Sequence, residues 1–357
     1  MVNKSGVKCL VQPGDGVAAL VKGIDLAKKS VDILIFRFDH REVELALGRA
    51  VSRGVKVHAL TAFTNRGGEK NLRALELRLL AAGATVDRTA DDLVRYHGKM
   101  MIVDGRELFI LAFNFTHIDI DRSRSFGFIT TNAKLVQEAC RLFEADCARK
   151  PYTAGNDAFL VSPVNARKQL VTFIGEAKKE LCIYDPEVSD PEIIRLLQAR
   201  ARAGVNIRVI GKMAVQAERL ASGMLPNLRL HARVIVRDGS QVFLGSQSLR
   251  TLELDSRREV GVISRDKNAV VLIAKTFEAD WAAEKQPVAE PVVDETPHPD
   301  KVAKQVAKAI LKDMPPMAPV VAGEVEINAA DLETAVKSAV KDAVREVVRD
   351  FVTQASQ

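Results

Sequence analysis

Two periodicities alternate along the first half of this chain. Residues 15–30 and 41–54 carry apolar side chains at helical spacing. Each is followed by a compact apolar run, Val31–Phe38 and Val55–Thr61, that predicts a strand. Further strands are predicted at Lys99–Asp104, Glu107–Asn114 and Phe126–Thr130, with a closing helix from Ala133 to about Lys150. Helix and strand alternating at these lengths predict a layered α/β architecture.

The pattern then repeats. Ala27-Lys-Lys-Ser-Val-Asp-Ile returns 150 residues later as Ala177-Lys-Lys-Glu-Leu-Cys-Ile, and Gly54-Val-Lys-Val as Gly204-Val-Asn-Ile. Further on the offset is 134: His97-x-Lys matches His231-x-Arg, Asp104-Gly matches Asp238-Gly, and Gly127 matches Gly261. Phe143-Glu-Ala-Asp and Phe277-Glu-Ala-Asp share that offset. The 16-residue difference is an extra segment in the first copy, which includes a helical stretch at 71–83. Self-similarity at a fixed offset marks a duplication. The expected fold is therefore a pair of duplicated α/β sandwich domains, residues 1–150 and 151–284, packed about a pseudo-twofold axis.

After Glu284 the texture changes. Seven of the thirteen prolines fall between Pro287 and Pro319, so 285–327 is expected to be a proline-rich linker with one short helix at 301–312. Residues 328–357 predict a C-terminal amphipathic helix with Asn328 as N-cap and apolar residues every four from Leu332 to Val352. A period of four drifts around a helix, so a heptad coiled coil is not expected. Homo-oligomerisation through this helix, or docking on the core, is its expected use.

At 357 residues and 47% hydrophobic, the chain has enough apolar material for two compact domains and too much for a disordered protein. No apolar run approaches the roughly 18 residues that span a bilayer, and the N-terminus lacks the apolar core of a secretory signal. A cytoplasmic protein with no integral membrane segment is expected. The four cysteines, Cys9, Cys140, Cys147 and Cys182, form no CxxC pair and no Cys/His metal spacing, so free thiols and no bound metal or cofactor are expected. Charge is unevenly placed. From Lys285 onward 9 Lys+Arg meet 12 Asp+Glu, leaving 43 against 34 in the first 284 residues. That basic excess suggests an anionic ligand for the folded part.

The duplicated motif carries the candidate chemistry. His97-Gly-Lys99 with Asp104, and His231-Ala-Arg233 with Asp238, both have the form HxKxxxxD, the second with Arg for Lys. Residues two apart on a strand share a face, so each histidine projects beside its cation. Asp104-Gly105-Arg106 and Asp238-Gly239-Ser240 are hairpin turn signals. A tip at Gly105-Arg106 would set His97 opposite Asn114, and the equivalent tip His231 opposite Ser248. A tip at Asp-Gly would shift the register by two and keep the faces. Two imidazoles and two cations facing each other supply a nucleophile, an acid for the leaving oxygen and fixed positive charge, which displacement at phosphorus needs.

These paired motifs resemble the phospholipase D superfamily, over roughly residues 10–284. Members carry Gly-Ser-x-Asn after each motif and a Glu eleven residues beyond that Asn. Here Leu111-Ala112-Phe113-Asn114 stands in the first copy and Gly245-Ser246-Gln247-Ser248 in the second. Glu259 holds the carboxylate position of the second copy, but Ser125 is its counterpart. Asp121, matched by Asp255, is the substitute carboxylate that the sequence offers.

The resemblance implies a phosphohistidine intermediate, one histidine attacking and the other serving as acid and then base, without metal. The expected catalytic set is His97, Lys99, Asp104, His231, Arg233, Asp238 and Glu259, with Asn114, Ser246 and Ser248 binding substrate. Asp104 and Asp238 also read as plain turn residues. Arg122, Arg124, Arg257 and Arg258 read as a solvated face or as the lining of an anionic channel. Glu259 is expected to orient His231 and hold it protonated as the acid, with His97 as nucleophile. The leading expectation is a phosphodiesterase that hydrolyses or exchanges a phospholipid headgroup. The alternatives are a nuclease, to which Phe113-Asn114-Phe115-Thr116 is similar, and a catalytically degenerate phosphate-binding scaffold.

Overall fold

The computed structural model describes residues 6–64, 69–214, 220–284, 320–322 and 325–327. In chain order the first copy runs β1 (Val7–Gln12), α1 (Ala18–Leu26), β2 (Ser30–Ile35), α2 (Arg41–Ser52), β3 (Lys56–Thr61), α3 (Glu69–Ala81) and β4 (Thr85–Arg88). It continues with β5 (Arg95–Tyr96), β6 (Met100–Val103), β7 (Glu107–Leu111), α4 (His117–Asp121), β8 (Ser123–Thr130) and α5 (Ala133–Cys147). The second copy is β9 (Phe159–Ser162), α6 (Ala166–Gly175), β10 (Glu180–Val188), α7 (Pro191–Arg202), β11 (Asn206–Met213) and β12 (Leu220–Gly223). Then follow β13 (Arg229–Leu230), β14 (Val234–Arg237), β15 (Gln241–Gly245), α8 (Thr251–Asp255), β16 (Arg257–Ser264) and α9 (Lys267–Glu284).

Each copy builds one mixed sheet. The first has the order β1-β8-β7-β6-β2-β3-β4 and the second β12-β11-β10-β14-β15-β16, with β9 also on β16. Each sheet also takes one short strand from the other copy, β13 on β8 and β5 on β16. The extra helix of the first copy is α3, delivering β4 to the sheet edge that β12 occupies in the second.

Strand alternation explains how the copies meet. On β6, Met100 and Ile102 face a core shared by both copies, whereas Met101 and Val103 face a second core beneath α1, α2 and α3. On β14, Val234 and Val236 enter the shared core and Ile235 the core under α6 and α7. Strands covered on both faces read as continuous apolar runs, which is why these segments were legible as strands. Helices α5 and α9 contribute Leu142, Phe143, Ile273 and Phe277 to the shared core. The α1 helix lies close on its sheet because Gly23 has no Cβ: one there would sit 2.6 Å from the Phe109 ring.

Two reciprocal ion pairs tie the copies together. Arg124 Nε and Nη2 clasp Asp280 on α9 at 2.7 and 3.0 Å, and Arg258 Nη2 lies 3.2 Å from Asp146 on α5. The repeated Phe-Glu-Ala-Asp thus ends on an aspartate that meets the other copy's arginine. This corrects the sequence reading of Arg124 and Arg258 as surface or channel residues: both are anchored in the interface. Arg257 is held by Glu253 at 2.9 Å, and Arg122 is exposed.

The hairpin register also differs from expectation. The Arg106 N–H donates to the Val103 carbonyl across Asp104 and Gly105, both at positive φ, but Arg106 is an extra residue. Val103 therefore pairs with Glu107, one residue off either predicted register, and in the second copy Arg237 pairs with Gln241. Strands β1 and β9 went unpredicted, being short runs ahead of the first helix of each copy. Within the span read as an extended linker, Val320–Ala322 pairs antiparallel with Val325–Ile327 as β17 and β18. The helices expected at 301–312 and 328–357, and the oligomerisation assigned to the latter, lie outside the described residues. Among the described residues no helix is long and apolar enough to cross a membrane.

Candidate active site

The short crossing strands build the site. On β5, Arg95 pairs with Arg257 and Tyr96 with Arg258 of β16, and the His97 N–H donates to the Arg258 carbonyl at 2.7 Å. One step further along both strands, His97 and Glu259 lie side by side. The reciprocal arrangement sets Arg229 and Leu230 of β13 against Ser123 and Arg124 of β8, with the His231 N–H donating to the Arg124 carbonyl at 3.0 Å. His231 and Ser125 are then neighbours. Each histidine is docked on the other copy's last strand.

The carboxylate assignment is corrected by this exchange. Glu259 does not touch His231; both of its oxygens lie 2.9 Å from Nδ1 of His97. Spacing within one copy could not reveal a partner supplied by the other. Glu259 is fully buried. Burial raises its pKa, opposed by Lys99, a hydrogen bond from Ser246 and Arg233. A carboxylate on Nδ1 fixes that nitrogen as the N–H donor and leaves Nε2 with the lone pair. Lys99, also buried, puts Nζ 2.9 Å from Nδ1 and 2.8 Å from Nε2 of His97 and donates to the His97 carbonyl at 2.7 Å. Burial pulls its pKa down to about 7, against the charge of Glu259. Burial, then Lys99 and Arg233, hold the His97 imidazole well below its usual pKa. Phe36, which sequence reasoning missed, presents its ring edge-on to His97 with centroids 4.5 Å apart.

His231 has a different environment. Ser125, at the Glu259-equivalent position, donates Oγ–H to the His231 carbonyl at 2.7 Å and gives the ring nothing. Nδ1 of His231 lies 3.4 Å from Asp119 Oδ2 and makes no hydrogen bond. Burial, then Arg233, Lys99, Arg229 and His97, hold this imidazole well below its usual pKa. The expectation that Glu259 orients His231 and holds it protonated is therefore corrected: Glu259 lies on His97.

Asp119, not Asp121, is the buried carboxylate here. It accepts from the backbone and side-chain N–H groups of Asn114 at 2.9 and 2.7 Å and from Arg229 at 2.6 Å. Asp121 is exposed and accepts from His117 at 2.8 Å. The signal lay in the duplication. Asp119 and Glu253 share the 134-residue offset, and Glu253 accepts from the Ser248 N–H at 2.8 Å as Asp119 does from that of Asn114. Ser248 Oγ accepts from Arg233 Nε at 3.2 Å, while Arg233 Nη1 is buried with no partner. Ser246 exchanges hydrogen bonds with the Val260 backbone.

The structure does not bring Asp104 and Asp238 to the histidines. They sit at the far ends of β6 and β14. Asp104 accepts from the backbone N–H groups of Lys28, Lys29 and Ser30 at 3.0, 2.6 and 3.0 Å. Asp238 does the same for Lys178, Lys179 and Glu180 at 3.0, 2.6 and 3.0 Å. Burial raises the Asp104 pKa, but the three donors outweigh it and hold the carboxyl below its usual value. These aspartates clamp a helix–strand turn, and their catalytic assignment is corrected to a structural one.

Two copies of an α/β sandwich that exchange strands to bring two histidines and two cations together define a class of two-histidine, phosphate-handling folds. The family model described as cardiolipin synthase, PLD-like domain matches residues 20–147 and 170–281, and the chain belongs to this phospholipase D-like family, whose members are phosphodiesterases and phosphotransferases. A search of the curated proteins finds no match. Among solved structures the chain is similar to the phosphatidylserine synthase of Haemophilus influenzae Rd KW20, at TM-score 0.62 and 9% identity over 86% of this chain and 94% of that one. It is similar also to the polyphosphate kinase of Porphyromonas gingivalis, at TM-score 0.66 and 18% identity over 77% of this chain. It spans 50% of that kinase's length. A further similarity is to Nuc of Salmonella typhimurium, at 22% identity and TM-score 0.38 over 42% of this chain and 99% of that one.

Proposed function

We propose that this protein hydrolyses or exchanges the headgroup of a phospholipid through a phosphohistidine formed on His97, without a catalytic metal. The observation that carries the reading is the asymmetry between the two imidazoles: Glu259 lies 2.9 Å from Nδ1 of His97, whereas Asp119 stands 3.4 Å from Nδ1 of His231 and makes no hydrogen bond to it. Attack by Nε2 forms an N–P bond and breaks the P–O bond to the leaving alcohol, while positive charge spreads to Nδ1–H against Glu259. Glu259 thus acts as a positioning residue for the attacking ring.

Lys99 and the unpartnered Nη1 of Arg233 supply fixed positive charge for the non-bridging oxygens. The substrate's own negative charge restores the proton affinity that burial and the cations Arg233, Lys99 and Arg229 suppress on His231. His231 then donates that proton to the leaving oxygen. Neutral His231 next removes a proton from water or an acceptor alcohol, whose oxygen displaces His97 from phosphorus. The phospholipid class rests on the family description and on the likeness in fold to a phosphatidylserine synthase.

The test is a side-by-side assay on fluorescent phospholipid vesicles, single-stranded DNA, RNA and bis-(p-nitrophenyl) phosphate, with acid-labile phosphate on His97 sought by mass spectrometry. Turnover of phospholipid with an adduct on His97 supports the reading. Turnover of nucleic acid alone replaces the substrate class, an adduct on His231 reverses the roles, and no turnover with any substrate favours a phosphate-binding scaffold.

A further inference from the structure

A second cluster of reactive side chains lies outside the two-histidine site, where β3, β4 and the end of α5 meet. His58 on β3, Asp87 on β4 and Cys147 on α5 bring three ligating atoms within 4.8 Å of one another. They line a cavity of about 460 Å³ with Asp32, Cys140, Phe143 and Glu144.

The bonding pattern separates two readings of a Cys-His-Asp group. In a catalytic relay the thiol and the carboxylate bond opposite ring nitrogens. Here both face the same one: Asp87 Oδ2 lies 2.8 Å and Cys147 Sγ 3.8 Å from Nε2 of His58. Three donors converging on one point is the geometry of a cation site. Zinc with Zn–S of about 2.3 Å and Zn–N and Zn–O of about 2.0–2.1 Å would set tetrahedral N···S and N···O separations of about 3.5 and 3.3 Å. The observed N···S separation is slightly longer than this, and the N···O separation is that of a direct hydrogen bond, so the half-exposed Asp87 carboxylate would swing back to admit the ion. The Phe143 ring meets His58 edge-on at 5.1 Å, fixing the plane in which Nε2 points.

Charge supports the same conclusion. Asp32 and Glu144 line the same cavity as Asp87 and Cys147, so carboxylates surround the position that a cation would take. A thiol, an imidazole and a carboxylate together suit a borderline-soft divalent ion.

We propose that His58, Asp87 and Cys147 form a Zn²⁺ site with three protein ligands and a fourth position open to the cavity. Binding forms the Zn–S bond and releases the thiol proton to solvent. The ion ties edge strand β4 to α5 and is exchangeable through its open position.

The test uses the reduced, full-length protein titrated with Co²⁺ in place of zinc. The expected result is a thiolate-to-cobalt charge-transfer band that saturates at one equivalent and is bleached by Zn²⁺. It should vanish in Cys147→Ser and persist in Cys140→Ser and His117→Ala. Independently of any variant, Zn²⁺ should slow alkylation of Cys147 in the wild-type protein by tenfold or more, read by peptide mapping. No band together with an unchanged alkylation rate overturns the proposal, as does a band that survives Cys147→Ser.

Discussion

Replacing Glu259 by Gln tests the proposed mechanism most directly. The substitution keeps the shape of a fully buried side chain that contacts His97 Nδ1 at 2.9 Å, and removes only its charge. In the ground state the buried Lys99 and Arg233 lose a counter-charge, so stability falls as well and is measured beside the rate. In the transition state the imidazole becomes positive. At charge centres roughly 4 Å apart and an effective dielectric of about 20, the lost attraction is about 4 kcal/mol, or ~10³ in rate. Exchanging the orienting carboxylate of a Ser-His-Asp triad for its amide costs ~10⁴, about tenfold more. The assay is single-turnover phosphohistidine formation with an activated diester, beside thermal unfolding of the same preparation. Ser125→Ala, which removes a hydroxyl bonded only to the His231 backbone, should stay within tenfold of wild type. A Glu259→Gln enzyme within tenfold of wild type, or a larger loss from Ser125→Ala, refutes the assignment of His97 as the attacking ring.

Three further outcomes are expected. Lys99 loses its charge through about pH 7 in the unliganded site, so kcat/KM should fall about tenfold per pH unit above that value; Lys99→Arg should extend activity past pH 8, and a wild-type profile flat to pH 9 contradicts this. Because its native pKa lies below its unfolded value, Lys99 alone makes stability rise between pH 7 and about 10.4, a slope that Lys99→Met should flatten in chemical unfolding at several pH values. Asp104→Ala strips three backbone N–H groups of their acceptor and puts alanine at positive φ, so stability should fall by about 2–3 kcal/mol in urea while kcat stays within a few-fold; a collapse of kcat with unchanged stability would return Asp104 to the catalytic set.

Much of this fold was legible because its strands are covered on both faces and its duplication holds one offset, 134 residues, from the first histidine onward. The same offset held the identity of Asp119 through its match with Glu253, though the eye was drawn to Asp121. What the chain could not disclose is which copy supplies a partner. Nothing in the spacing around His97 indicates that its carboxylate comes from 162 residues away, because β5 crosses to the other sheet. The role of Asp104 was equally hidden: its partners are backbone amides, which every sequence contains.

The reciprocal strand exchange carries a consequence for how two such copies can diverge. In a homodimer with this geometry every residue would appear twice, and both histidines would face identical neighbours. Joined in one polypeptide, each copy can drift while the other holds the shared task. Glu259 lies within hydrogen-bond distance of His97, whereas serine stands at the matching position 125 and the carboxylate beside His231 is Asp119 at 3.4 Å, so the two rings have different neighbours. Covalent tandem arrangement is thus what lets two matched histidines acquire different surroundings.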